Sequence, residues 1–434
     1  MADPVDFSTP DPTVRELLAT HSNLSLDVRS GLMLDDVPLQ AIADAVGTPC
    51  WVMSAGTLRR RAAILLNAMK DAGPSVSAHF AVKANDHLAV LEILARAGMG
   101  ADVVSGGELL RARKAGIPAS KIVFSGVGKT DAELRLAIEE GVSQINVESA
   151  EELEVLSGVA ASLGREIDVA LRVNPDVDAR THAKITTGVA GNKFGIPYEE
   201  ALDLYREAHA LPGVKPVGYA VHIGSQILTM EPYRDAYRRV AELVRDTRAA
   251  GLPVSVVDCG GGIGINYRDE GAASPNAWAG AIRSGLGDLD VRLAIEPGRW
   301  IAAPAGVLLA SVVLRKAVRG GYPFIILDAA MNDLLRPALY EAWHGILPLS
   351  AHDAMLAPET ASIVGPVCES GDTFAKTRQL PPLQRGARVA LLDTGAYGAV
   401  MSSTYNARPF AAQVLVDDGT WTVIRERQSM EDLW

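Results

Sequence analysis

The chain has 434 residues, 48% of them hydrophobic and 21% charged. That length suits a large barrel plus a second domain, and the balance excludes disorder as the dominant state. With 41 basic and 52 acidic residues the formal charge is −11, so the surface repels nucleic acid and anionic lipid and neither is expected as a partner.

The N-terminal run MADPVDFSTPDPTVRELL has early acids and no apolar segment, so it does not read as a secretory signal. Residues 1–45 are expected to join a β domain formed further along, although their own pattern does not decide it. From about residue 46 to 300, short apolar, β-branched runs alternate with longer amphipathic ones. The strand-like runs are 76–83, 100–105, 121–126, 143–148, 166–174, 216–224, 254–262 and 291–298. Between them lie helix-like runs such as 87–98, 131–141, 149–164 and 233–251, many ending in glycine, a common helix terminator.

Eight such repeats predict an α/β fold, a (β/α)₈ barrel of the TIM type. An open doubly wound sheet is the alternative. Polar residues favour the barrel, because Lys83, Ser105, Asn174, His222, the run Gly260–Gly262 and Glu296 all fall at strand C-terminal ends. A barrel gathers those ends around one mouth.

After residue 300 the rhythm changes. Strand-like runs at 306–318, 322–330, 387–397, 411–416 and 421–426 have little helix between them and predict a mostly antiparallel β domain over 301–434. Residues 347–386 are expected to run as loops and short strands. The apolar stretch 301–314 is broken by Pro304 and Gly306 and falls short of a membrane span. Cys50, Cys259 and Cys368 are widely spaced. They form no metal-ligand pair and no disulfide framework, so no metal is expected and a reducing cytoplasm fits.

Lys83 ends the apolar strand FAVK. In an apolar barrel mouth, desolvation favours its neutral, nucleophilic form, which can make a Schiff base. The alternative is a lysine snorkelling at the rim. The run CGGGIG at 259–264 lets backbone N–H groups approach an anion, or else makes a tight βα turn. HIGSQ at 222–226 adds a histidine and a serine, and EPGR at 296–299 a carboxylate and an arginine. These are the parts a pyridoxal 5'-phosphate site needs: a lysine, a phosphate cradle, an acid for the pyridine nitrogen and a ring to stack on the cofactor.

FAVKAN, GADVVSGGEL, HIGSQ, the GGG turn, EPGR, MNDLLRPALY, GPVCESGD and DTGAYG follow one another across residues 80–398. In these motifs the sequence resembles the diaminopimelate decarboxylase family, of the alanine-racemase-like class of pyridoxal-phosphate enzymes. The resemblance implies a barrel followed by a β domain. It makes Lys83 the lysine that holds the cofactor and His222 the ring stacked on it. Ser225, Gly261 and Gly262 would bind the phosphate, with backbone from Pro297 and Gly298, and Glu296 would face the pyridine nitrogen. Arg299 would take phosphate or a substrate carboxylate. Arg336 and Tyr340 would bind the far end of the substrate, and Tyr397 would touch cofactor and substrate. Cys368 would return a proton to the carbon that loses CO₂, Glu369 would pair with the distal ammonium, and their loop would enter the site of a partner subunit in a homodimer.

The implied reaction removes one carboxylate from meso-2,6-diaminopimelate to give L-lysine. A carboxylate at the far end of the substrate calls for a bidentate arginine, which Arg336, with Arg299 as a possible second, would supply. Rival readings are a decarboxylase of ornithine, D-lysine, carboxynorspermidine or a carrier-bound amino acid, a racemase, a non-catalytic pyridoxal-phosphate carrier, and a cofactor-free barrel hydrolase. The glycine-rich stretch 184–195 reads equally as a lid or a surface loop.

Overall fold

The computed structural model describes residues 10–73, 75–178 and 193–434. The chain divides into two compact units: Arg61–Ile265 with Ala272–Trp300, and Met1–Arg60 with Asn266–Gly271 and Ile301–Trp434.

Eight parallel strands build the first unit: Val76–Ala81, Gly100–Val103, Ile122–Phe124, Gln144–Val147, Ile167–Asn174, Val214–Ala220, Val256–Asp258 and Arg292–Ile295. The eighth pairs with the first, so the sheet closes into the expected barrel. Local sequence sets the intervening helices. Thr130 and Glu133 make a reciprocal capping box before Asp131–Glu140, and Gly141 ends that helix in the left-handed region. Ser105 and Ser149 cap Gly106–Lys114 and Ala150–Ser162 by accepting the N–H groups of Glu108 and Glu152. Ser105 is therefore a cap. Helix Glu231–Ala249 buries Tyr233, Tyr237, Val240, Ala241 and Val244, an apolar stripe at helical spacing.

A barrel of this kind is normally filled by branched apolar side chains. Here Asp102, Asn146, Asp258 and Glu296 are all buried. The Asn146 amide donates to Asp258 at 3.2 Å and to Glu296 at 3.4 Å, across 112 and 150 residues of sequence. Buried polar groups at this density need partners, and the barrel supplies them from strands far apart in the chain.

In the second unit, one sheet runs Thr373–Leu380, Glu359–Val364, Phe324–Leu327, Gly306–Lys316, Cys50–Ser54, Ala412–Asp417, Thr420–Arg425. Strand Ile346–Pro348 pairs with Arg388–Leu391, which pairs with Gly306–Lys316. Two neighbouring pairs are parallel and the rest antiparallel. Two differences from the sequence reading stand out. Cys50–Ser54, inside the span expected to be barrel, lies between Gly306–Lys316 and Ala412–Asp417. All five of its residues are buried, so its run of apolar residues marks a central strand and carries no sign of which sheet it joins. Residues 359–380 form a long hairpin, in place of the expected loops and short strands. Pro358, Pro366 and Pro381 punctuate this region in sequence, but all three lie outside the paired strands. Among the described residues no helix is long and apolar enough to cross a membrane.

Candidate active site

At the C-terminal ends of the barrel strands lies a cavity of about 450 Å³, lined among others by Lys83, Ser125, Asn146, Arg172, Phe194, His222, Asp258 and Glu296. That size accommodates a small cofactor with substrate. The cavity brings together Lys83, His222 and Glu296, three of the residues singled out from sequence.

Lys83 sits in a short 3₁₀ turn directly after the first strand. Its ammonium donates to the Asp102 carboxylate at 3.0 Å, and Asp102 is fully buried. The lysine is thus held by an ion pair, not set in the apolar surroundings expected. The other carboxylate oxygen of Asp102 is buried without a hydrogen-bond partner among the described residues.

Burial, with Lys83 and Arg172 nearby, pushes the pKa of His222 well below the ordinary imidazole value, which favours the neutral ring. Its Nδ1 accepts the Gly261 N–H at 3.2 Å, which puts the ring proton on Nε2. Glu296 shifts the opposite way. Burial, then the charges of Asp102 and Asp258, push it well above the usual carboxylate range. Ser125 donates to its Oε1 at 3.2 Å. A buried acid of this kind complements a pyridine nitrogen, because a positive charge there offsets the surrounding carboxylates.

The loop after the sixth strand and the glycine run after the seventh are zipped together. Ile227 and Ile263 form a parallel bridge, and Ile227 N–H donates to Gly262 O at 2.9 Å. The glycines are required by close approach. A Cβ on Gly261 would lie 2.0 Å from the Glu296 carbonyl oxygen, and one on Gly262, where φ is +95°, would lie 2.1 Å from the Gly224 carbonyl oxygen. Arg299 donates to Ser225 Oγ at 3.0 Å, which leaves the serine's own proton for an anion. Pro297 has no N–H and its carbonyl accepts from Ala81 at 3.0 Å. Of that pair, only Gly298 has a backbone donor to offer a phosphate. These residues fit pyridoxal phosphate: a lysine, a buried acid, a flat neutral ring and a cradle that side chains would fill.

Sequence reasoning missed Asp102, Ser125, Asn146, Arg172 and Asp258. Each is a polar residue in or just after an apolar barrel strand, a readable signal. Arg172 pairs with Glu148 at 2.5 Å and lies over the Phe194 ring at 5.0 Å. Glu148 also accepts the N–H groups of Gly126 and Gly195 at 3.1 and 3.0 Å. Asn174, taken as chemically useful from its place, accepts the Asp176 N–H at 3.0 Å, a local turn contact. Most of the stretch 184–195 lies outside the described residues.

Glu108 gives a pH prediction. Burial, above all, raises its pKa from 4.5 to about 7. The unfolded chain releases this proton at 4.5 and the folded chain holds it to about 7. Stability should therefore fall as pH rises through that window, by at most about 3 kcal/mol. Thermal midpoints of cofactor-free protein from pH 4.5 to 8 should show the fall, and Glu108→Gln should flatten it. An unchanged slope in the variant would contradict the assignment.

In the second unit, Arg336 begins a short helix and is buried. Its Nη1 donates to His344 Nε2 at 2.9 Å, while His344 Nδ1 contacts the Leu392 carbonyl at 2.7 Å. Its guanidinium lies 4.8 Å from the centre of the Tyr267 ring. A guanidinium held on two sides in this way is preorganised. Tyr340 ends the same helix, half-buried. Tyr397 adopts φ +55°, a left-handed conformation uncommon outside glycine.

Cys368 and Glu369 lie in the loop that closes the hairpin 359–380. Asp372 shapes that loop by accepting the N–H groups of Met331 and Val367, both at 2.7 Å. Cys368 is exposed, while Cys50 and Cys259 are buried. Burial raises Cys50 to about 12 and Cys259 well above the ordinary thiol value, so neither is a reactive thiol. Glu369 accepts from the Tyr405 hydroxyl at 2.6 Å.

The family model for the pyridoxal binding domain of pyridoxal-dependent decarboxylases matches residues 56–303, the barrel and its lysine. The chain is 46% identical to the diaminopimelate decarboxylase of Zymomonas mobilis over 405 residues, covering 93% of this chain and 95% of that one. Diaminopimelate decarboxylase from Helicobacter pylori, solved in complex with L-lysine, superposes with a TM-score of 0.86 at 38% identity over 91% of this chain and 98% of that one. The enzyme from M. jannaschii, also with L-lysine, gives 0.89 at 35% identity over 95% and 97%. This chain belongs to the diaminopimelate decarboxylase family.

Proposed function

We propose that this enzyme removes the carboxylate at the D-configured end of meso-2,6-diaminopimelate, giving L-lysine and CO₂, the last step of lysine biosynthesis. The observation that carries the substrate choice is the buried, braced guanidinium of Arg336. A fixed planar fork of this kind matches a carboxylate, which diaminopimelate carries at its far end and simple basic amino acids lack.

When bound, pyridoxal phosphate supplies the electron sink for the pair released as the Cα–CO₂⁻ bond breaks. The chain does the rest. Asp102 holds the Lys83 amine, which would bond to the cofactor aldehyde. Glu296, backed by Asp258, Asn146 and Ser125, would face the pyridine nitrogen, and His222 would stack on the ring. Ser225, Gly262 and Gly298 would bind phosphate, and Gly261 would support them, its N–H being held by His222. Arg299 steadies Ser225 and would take phosphate or a substrate carboxylate. Arg336 and Tyr340 would take the distal carboxylate, Glu369 would take the distal ammonium, and Tyr397 would touch cofactor and substrate. Cys368 Sγ delivers a proton to Cα after CO₂ leaves.

We also infer a cytoplasmic homodimer in which the Cys368 loop serves the partner's site. The exposure of Cys368 and Glu369 at a hairpin tip and the three free thiols support this. Two inactive variants, Lys83→Ala and Cys368→Ala, should recover activity when unfolded and refolded together, because mixed dimers regain one complete site. No recovery would contradict sharing. The reaction itself is tested by incubating protein, pyridoxal phosphate and meso-diaminopimelate. One CO₂ per L-lysine is expected, and absence of both would overturn the proposal.

A further inference from the structure

The glycine turn after the seventh barrel strand is held from behind by two tyrosines of helix Glu231–Ala249. Tyr237 donates its hydroxyl to the Cys259 carbonyl at 3.1 Å, and Tyr233 donates to the Gly261 carbonyl at 2.9 Å. The other two carbonyls of the turn accept backbone donors: Gly260 O from Glu296 N–H at 2.7 Å, and Gly262 O from Ile227 N–H at 2.9 Å. All four carbonyls are thus fixed.

The N–H groups are not equivalent. Gly260 N–H donates to Asp258 Oδ1 at 3.0 Å, and Gly261 N–H to His222 Nδ1 at 3.2 Å. Gly262 N–H meets no acceptor among the described residues. The only cis peptide among them is Thr48–Pro49. In a trans peptide the C=O and the following N–H point in opposite directions. The phenol that fixes Gly261 O therefore also fixes the direction of Gly262 N–H.

We propose that Tyr233 is a positioning residue, whose hydroxyl holds the 261–262 peptide so that Gly262 N–H points at the cofactor phosphate. This rests on the reading that pyridoxal phosphate occupies the barrel. Tyr233 suits the task because it cannot move easily. It is fully buried, stacks on Tyr237 with ring centres 5.8 Å apart, and contacts Trp278 at the same distance. Water cannot replace its hydroxyl, and a glycine peptide without its anchor is free to turn. Tyr237 has a different effect. It is held by Trp278 Nε1 at 2.9 Å, and the N–H of the peptide it fixes is already taken by Asp258.

The test compares Tyr233→Phe with Tyr237→Phe, both of which keep the stacked ring. Dissociation constants of pyridoxal 5'-phosphate and of pyridoxal are measured on cofactor-free protein, together with thermal midpoints. Tyr233→Phe should weaken pyridoxal phosphate about 10-fold, the size of one hydrogen bond to a charged group, and leave pyridoxal unchanged. Tyr237→Phe should lower the thermal midpoint to a similar degree and leave the ratio of the two constants at the wild-type value. If Tyr233→Phe weakens both compounds equally, or neither, the positioning role is wrong. An equal change of the ratio in Tyr237→Phe would also overturn it. Wild-type protein that binds neither compound would overturn the cofactor reading itself, and this inference with it.

Discussion

Lys83→Ala is expected to cut kcat by about 1,000-fold or more, since it removes the nucleophile proposed to hold the cofactor. The protein should also lose the visible absorbance of lysine-bound cofactor. Borohydride treatment followed by peptide mass spectrometry should find the pyridoxyl adduct on Lys83 in wild type and nowhere in the variant. The alanine also strips the buried Asp102 carboxylate of its partner at 3.0 Å, so some stability should be lost with activity. Lys83→Arg separates the two effects. It keeps a cation beside Asp102 but cannot attack an aldehyde, so it should be as inactive as the alanine variant and melt closer to wild type. Substantial turnover by Lys83→Arg would show that the lysine is needed for charge alone.

The second large effect falls on Arg336. Truncating one side of a buried, hydrogen-bonded charge pair costs about 2–5 kcal/mol, which corresponds to roughly 30-fold to several-thousand-fold in kcat/KM. Arg336→Lys keeps the charge and loses the planar fork. It should fall in this range for meso-diaminopimelate, with most of the change in KM, because the contact lies far from the reacting carbon. Its brace, His344 at 2.9 Å, would meet an ammonium that has no fixed second donor for the carboxylate. A variant with unchanged KM would remove Arg336 from the substrate's far end.

The barrel was legible because its eight strands are short apolar runs spaced by amphipathic helices, and because useful side chains gather at strand ends. The second unit was less so. Cys50–Ser54 looks like a barrel strand from its residues alone, and only its pairing with Gly306–Lys316 and Ala412–Asp417 gives it a place. The hairpin 359–380 was hidden by prolines that flank its strands without entering them. In the site, Lys83, His222 and Glu296 could be picked out because each ends a strand inside a motif. Asp102, Asn146 and Asp258 could not, although a charged or amide group inside an apolar strand was a usable signal. Their partners lie 19 to 150 residues away in sequence, and no local pattern encodes such distances. The same holds for Tyr233 and Tyr237. They read as ordinary core positions of an amphipathic helix, and only the backbone carbonyls they reach give them a further part.

The central claim is that this enzyme recognises a carboxylate at the far end of its substrate. The most direct test presents purified protein and pyridoxal phosphate with meso-diaminopimelate, L-ornithine, L-lysine and L-arginine in separate incubations, reading CO₂ release and the chirality of the product. CO₂ and L-lysine from diaminopimelate alone are the result expected. Faster release from ornithine, lysine or arginine than from diaminopimelate would contradict the account, because none of them carries the far-end carboxylate proposed to bind Arg336.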